Sequence, residues 1–97
     1  DVAILVAPKL KEPIMEIRLI AANSLSRLGL LALPAIDELI SALDDEHLWV
    51  QAAAALALGN IGPQAKKAVP ALKVLMHSPS YGPSGRAREA LDKILKH

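Results

Sequence analysis

The feature that most constrains this chain is an internal repeat with a period of 33 residues. Sliding the sequence by that distance superimposes apolar residues on apolar residues and glycine on glycine. A fixed period of about 20 to 50 residues is typical of stacked helical units, which bury a continuous core only by packing on their neighbours. The superimposed pairs are Ile17 and Val50, Ala21 and Ala54, Leu25 and Leu58, Leu28 and Ile61, and Gly29 and Gly62.

The repeat reaches both ends of the chain. A third copy begins near residue 84 with apolar residues at the same spacing, and a partial copy precedes residue 12. One segment departs from the period, because Leu33–Ile36 (LPAI) matches Val69–Leu72 (VPAL) at an offset of 36, which predicts an insertion of three residues. The outlying matches are Ala87, Leu91 and Ile94 in the third copy, and Val6 and Leu10 at the places of Leu39 and Leu43.

Each unit is predicted to be a pair of helices, because its apolar residues recur at steps of three and four. Gly29 and Gly62 end the first helix of each pair, since glycine adopts the left-handed conformation without a Cβ penalty. Pro34 and Pro70 stand where the second helix begins, and a first turn tolerates proline. The predicted helices are 2–11, 14–29, 34–43, 47–61, 66–77 and 84–96, with 77–85 as a loop rich in Pro, Gly and Ser.

Composition agrees with an all-α fold. Ala and Leu occur 17 times each, Phe is absent, and there is one Trp and one Tyr. Ala and Leu favour helices, whereas aromatic and β-branched residues favour strands. The chain has no Cys, which excludes disulfides and thiolate metal sites and slightly favours a reducing, cytoplasmic compartment. No apolar run approaches the roughly 20 residues that cross a bilayer, so we expect no membrane insertion.

The segment Val50–Leu72 (VQAAAALALGNIGPQAKKAVPAL) resembles the HEAT-like repeats first noted in phycobilisome lyases, and Ile17–Gly29 is a looser copy. The resemblance implies a right-handed α–α superhelix with its first helices on the convex side and its second helices on the concave side. The predicted units of the chain are a partial repeat 1–11, repeats 14–43 and 47–77, and a partial repeat 84–97. We expect the chain to be a fragment of a longer solenoid or protein. It also implies that Arg18 ties adjacent repeats to an acid at the preceding turn, a contact that Gln51 and Ser84 would lose.

No constellation for catalysis or metal binding is visible. His47, His77 and His97 do not pair with other ligands at helical spacing. Three acids, Asp44 to Glu46, precede a helix, where they complement the positive end of its dipole, and acid–base chemistry would need one of them in a dry pocket. There is no phosphate-binding loop and no Ser–His–Asp arrangement. We therefore predict a non-enzyme with no cofactor and no metal.

Charge is uneven although the net charge is +1. Residues 1–48 carry four basic and eight acidic residues, a net charge of −4, whereas residues 49–97 carry seven and two, a net charge of +5. Nucleic-acid binding needs a continuous basic face. The outward positions of the second helices change sign from one repeat to the next, which argues against a nucleic-acid partner.

The function predicted from these features is display of a curved surface to a protein or peptide. The alternatives are an accessory module of a larger enzyme and, by family analogy, a lyase-like role. Trp49 is expected to cover the seam with the preceding repeat, although a partner contact is the alternative. The predicted contact residues are Asp37, Glu38 and Ser41 on one second helix, Lys73 and His77 on the next, and Tyr81 in the loop.

Self-association is predicted at the first helix. Its apolar residues surround the helix on every side, and such a helix is expected to be covered. By the 33-residue offset, Ile4 and Leu5 stand where Asp37 and Glu38 stand in the next second helix. An end repeat normally presents a polar outer face. We therefore expect a homodimer, either symmetric through residues 2–10 or head-to-tail by charge.

Overall fold

The computed structural model describes residues 1–96, and over that range the chain is all-α, without strands. Three 3₁₀ segments lie between helices or follow them: Ala7–Lys11, Gly29–Ala35 and Pro63–Ala68. The α-helices are α1 (Val2–Val6), α2 (Met15–Leu28), α3 (Ile36–Ala42), α4 (Leu48–Ile61), α5 (Val69–Leu75) and α6 (Tyr81–Leu95).

The period of the structure is 33 residues throughout. The first helices α2, α4 and α6 begin at residues 15, 48 and 81, and the second helices α3 and α5 begin at 36 and 69. The predicted three-residue insertion is therefore wrong. Pro34 lies in a 3₁₀ segment and Pro70 in the first turn of α5. A first turn tolerates a missing N–H, which fits Pro70, whereas Pro34 is the sixth residue of its 3₁₀ segment. The similar LPAI and VPAL segments therefore do not share a register.

The helices form two layers. The first-helix layer is α2, α4 and α6, and the second-helix layer is α1, α3 and α5. The smallest dimension of the molecule is 18 Å, close to two helices of about 10 Å each. Helix α4 lies at the centre and packs against both α2 and α6. The largest fully buried side chains lie between the layers: Leu25, Leu39, Val50, Leu58, Leu72 and Ile94.

Small residues bring the first helices close together. Gly59 has no side chain, and a Cβ built on it would lie 2.9 Å from the Cα of Ala90 in α6. A glycine inside a helix costs about 1 kcal/mol relative to alanine, so close approach of two backbones is the physical reason for it here. The next residue, Asn60, joins α4 to both neighbouring helices. Its side chain donates a hydrogen bond to the backbone oxygen of Ser26 in α2 (2.9 Å), and Lys93 in α6 donates one to Asn60 Oδ1 (3.1 Å).

Both predicted helix-ending glycines are confirmed. Gly29 ends α2 with φ of +56°, and Gly62 ends α4 with φ of +86°. Gly29 also divides an apolar stretch, since an 18-residue window in Met15–Ala42 has a mean hydropathy of 1.5, enough by composition to cross a membrane. The expectation that no such run exists is wrong by this measure. In the fold, the stretch is bent into α2, a 3₁₀ segment and α3.

The start of α6 also differs from the prediction. The helix begins at Tyr81, so residues 81–85 are helical and the expected 77–85 loop ends at Ser80. Pro83 is the third residue of the helix, where the first N–H groups have no intrahelical partner. The Ser84 hydroxyl donates to the backbone oxygen of Tyr81 (3.2 Å).

Arg18 connects two inter-repeat turns. Its guanidinium donates to the backbone oxygens of Glu12 and Pro13 (2.9 and 3.0 Å) in the preceding turn and to both carboxylate oxygens of Asp45 (2.8 and 3.2 Å) in the following turn. The expectation that Arg18 pairs with an acid at the preceding turn is therefore wrong, because its partner Asp45 lies 27 residues later in the chain. Both side chains are 9% exposed, so removing either partner leaves a buried charge.

The next repeat replaces both partners. Gln51 stands at the place of Arg18 and keeps the contact with its own turn by donating to the backbone oxygen of Asp45. Ser78 stands at the place of Asp45, and its hydroxyl accepts from the backbone N–H of Ser80 (3.1 Å) as Asp45 accepts from that of His47 (2.9 Å). The turn cap is therefore retained without the ion pair.

These replacements define a double-mutant cycle. Asp45→Ser alone should lower the free energy of unfolding by about 3 kcal/mol, because Arg18 stays buried without its hydrogen-bonded counter-charge. The remaining acid, Glu46, lies 3.9 Å from Arg18 with its side chain 90% exposed and cannot take over the two hydrogen bonds. Arg18→Gln combined with Asp45→Ser should cost less than the sum of the single changes, by about 1 to 3 kcal/mol. Urea unfolding measures all four proteins. Effects that add to within about 0.5 kcal/mol would show that the pair does not act as a unit.

Candidate protein-binding surfaces

A groove lies between the second helices α3 and α5, and we call it the second-helix groove. It encloses about 470 Å³. Apolar side chains from both helices line it, and polar side chains from the helix ends surround them. Val74 is 76% exposed although it is aliphatic. The lining residues are Ile40, Leu43, Ala71, Val74 and Leu75, with Asp44, Gln51, His77 and Ser78.

The structure brings one of the predicted contact residues, His77, into this groove. Asp37 and Ser41 are exposed on α3 and Lys73 on α5, outside the lining, and Glu38 is half-buried. Asp37 pairs with Lys67 at 2.6 Å, which links α3 to the next 3₁₀ segment. Both side chains are largely exposed, so this pair contributes little to stability. Polar residues were predicted here, whereas the groove is lined mainly by aliphatic residues.

Tyr81 was predicted to project from a loop, and this is wrong. It is the first residue of α6, because the helix starts three residues earlier than its Gly and Pro content suggested. The side chain is nevertheless 91% exposed. It lies on the edge formed by the helix starts of the first-helix layer, at the register position of Met15 and Leu48, and therefore not at the second-helix groove.

A smaller groove of about 250 Å³ crosses the outer side of the first-helix layer. We call it the first-helix groove. The expected role of Trp49 as a seam residue is wrong, since its side chain is 65% exposed and lines this groove. Trp49 instead contacts the His47 ring edge-on, with ring centres 5.3 Å apart. The other lining residues are Leu19 and Asn23 from α2, Ala52, Ala53 and Leu56 from α4, and Arg86 from α6.

The two ends of the first-helix layer differ in polarity. At the N-terminal end, Ile20 is 65% exposed in a groove with Val6 and Ile17. In α4 the equivalent of Ile20 is Ala53, which α2 covers. At the other end, α6 exposes Arg88 and Asp92 at the places where α4 has the small residues Ala55 and Gly59. These charged residues border a groove of about 650 Å³ that also contains Met76, Leu91 and Leu95.

Acid–base and metal chemistry have no visible site among residues 1–96. Over that range, no three His, Asp or Glu side chains gather closely enough to hold a metal ion. Of the three acids before α4, Asp45 is engaged by Arg18, while Asp44 and Glu46 are exposed. His97 lies outside the described residues.

A family model of HEAT repeats matches residues 6–92. The chain belongs to the HEAT-repeat family. HEAT repeats are commonly protein-interaction scaffolds and are generally non-catalytic. The match is to the repeat itself, so the resemblance to the lyase-associated subgroup stays a prediction. No curated protein matches the chain.

Sequence reasoning missed the residues that make the two grooves apolar. Val74 is an aliphatic residue on a helix, and such residues are more often buried than exposed, so its type alone did not indicate a surface position. The signal that could have found them is the register. Ser41 and Val74 are equivalent at the strict period of 33, so Val74 replaces a polar surface residue. The assumed insertion paired Ser41 with His77 and concealed that replacement.

Proposed function

We propose that this HEAT-repeat chain is a non-catalytic module that binds a protein or peptide in its second-helix groove. The observation that carries the proposal is the combination of exposed Val74 with Ile40 and Leu43 inside a polar border. An apolar centre with a polar rim is the general anatomy of a protein-binding surface. The predicted contacts Asp37, Ser41 and Lys73 flank this groove and would act at its rim, with His77 in the groove itself.

A role as an accessory module of a larger enzyme is compatible with the same surface. In that case the groove would position another domain or a protein substrate, and catalysis would lie outside this chain. The lyase-like role is a more distant alternative that rests on resemblance alone. Both alternatives share the requirement that the second-helix groove contacts a polypeptide.

Val74→Glu tests the proposal. A charge in the apolar centre of the groove should reduce capture of the partner at least tenfold, because the carboxylate must be desolvated on binding. Leu31→Glu is the matched control, since Leu31 is 72% exposed but lies outside the groove. The measurement is affinity capture from cell extract, quantified by mass spectrometry against the unaltered chain. A partner that Val74→Glu retains, or that both variants lose equally, would contradict the proposal.

We propose, as a second candidate, that the chain forms a symmetric homodimer through its N-terminal end. The support is the exposed Ile4 and Leu5 on α1 and the exposed Ile20 on α2. A head-to-tail contact would place these residues at the end of α6, where Arg88 and Asp92 are exposed beside Leu95. A symmetric contact pairs apolar with apolar, and it closes after two copies.

Sedimentation velocity over a range of protein and salt concentrations tests the dimer. We expect a dimer that survives high salt and is lost in Ile20→Glu and in the Ile4→Glu, Leu5→Lys double variant. The fold should tolerate a charge at the first of these sites, because α6 carries Arg86 at the equivalent position. A monomer at all concentrations, or assemblies that grow beyond two copies as salt is lowered, would contradict the symmetric dimer.

A further inference from the structure

The first-helix groove has a composition that neither the core nor the repeat explains. Helix α4 contains no charged residue over its 14 positions. Two of its outward residues differ in kind from their equivalents in the neighbouring first helices. Trp49 corresponds to Glu16 in α2 and Gly82 in α6, and Leu56 corresponds to Asn23 in α2 and Glu89 in α6. A helix that is apolar all round is expected to be covered on every side. On the outer side of α4, however, Trp49 is 65% exposed and Leu56 is only half-buried.

Core packing does not require these side chains. Trp49 is 65% exposed, and the equivalent position is occupied by Glu16 in α2 and by Gly82 in α6, so the repeat forms without a large apolar residue there. Trp is one of the residue types enriched at the energetic centres of protein interfaces, together with Tyr and Arg. Trp49 is also the sole Trp of the chain.

The dimensions of the apolar ridge fit a short helix. Trp49 and Leu56 are seven residues apart, which is two turns or about 10 Å along α4. A ligand helix that lies in a groove presents side chains at i, i+3 or i+4, and i+7, over the same length. Ala52 lies between the two large residues, is only half-buried, and leaves room for the side chains of a partner.

Among residues 1–96, Arg86 is the one charged side chain in the lining of this groove. Arg86 lines it from α6, and its pair with Glu89 at 3.0 Å is solvent-exposed on both sides. Such an exposed pair is worth about 0 to 1 kcal/mol, so a carboxylate of a ligand can replace Glu89.

We propose that the first-helix groove binds an amphipathic helical peptide that carries aliphatic residues at i, i+4 and i+7 and an acidic residue beside them. The aliphatic side chains pack between Leu19, Trp49 and Leu56, and the carboxylate pairs with Arg86. This surface lies on the layer opposite the second-helix groove, so the two can be occupied independently.

The test is a selection from a phage-displayed library of random 16-residue peptides on the immobilised chain, followed by titration of the synthesised peptides. Because Trp49 is the sole Trp, its emission reports the occupancy of this groove. We expect selected peptides with spaced aliphatic residues and Asp or Glu, and a shift of Trp49 emission to shorter wavelength on binding. Arg86→Glu should weaken binding at least tenfold.

Two control variants keep the outcome specific. Arg88→Glu makes the same change two residues along α6, outside the groove, and should alter affinity less than twofold. Val74→Glu blocks the second-helix groove and should leave this binding unchanged. A peptide whose binding this variant abolishes occupies the second-helix groove, and that result would also overturn the proposal. The proposal is overturned if no selected peptide shifts the Trp49 emission, if the binders lack acidic residues, or if Arg86→Glu and Arg88→Glu bind equally.

Discussion

The close approach of α4 to its neighbours is the contact on which the rest of the structure depends. Gly59 lets the α4 backbone reach Ala90, and alanines at positions 53, 54, 55 and 57 are buried along the same helix. Small side chains let neighbouring backbones pack at short distance, so the spacing of the first-helix layer follows from them. The second helices then fill the space between turns, with Leu39 and Leu72 as the buried anchors of α3 and α5.

This arrangement leaves each layer with a different outer surface. In the second-helix layer, exposed Val74 and half-buried Ile40 form a groove that polar helix ends border. In the first-helix layer, α4 packs through its small residues on two sides and presents Trp49 outward. The apolar character of α4 therefore has two causes. Its flanks are apolar because α2 and α6 cover them, and we propose that its outer side is apolar because a partner covers it.

The helix pairs, their order and the helix-ending glycines could be predicted from the sequence, because period and apolar spacing are local properties that packing preserves. Three features could not. The insertion was inferred from two similar Pro segments, although these do not share a register. The start of α6 was placed too late, since Pro83 and the glycines suggest a loop although a first turn tolerates Pro. Trp49 was assigned to a seam because the spacing of apolar residues shows which side of a helix faces the core but not where that side ends. At its edge, a difference of one position decides whether a side chain is covered or exposed.

The most direct test of the account compares alanine at two helical glycines. Gly59→Ala places a Cβ 2.9 Å from the Ala90 backbone, whereas a Cβ at Gly85 in α6 meets nothing within 4 Å. Urea unfolding should therefore show opposite signs. Gly85→Ala should raise the free energy of unfolding by about 0.5 to 1 kcal/mol through helix propensity. Gly59→Ala should lower it, because overpacking of about 1 to 3 kcal/mol outweighs the same propensity gain. An equal stabilisation by both substitutions would show that α4 and α6 are not held at backbone contact.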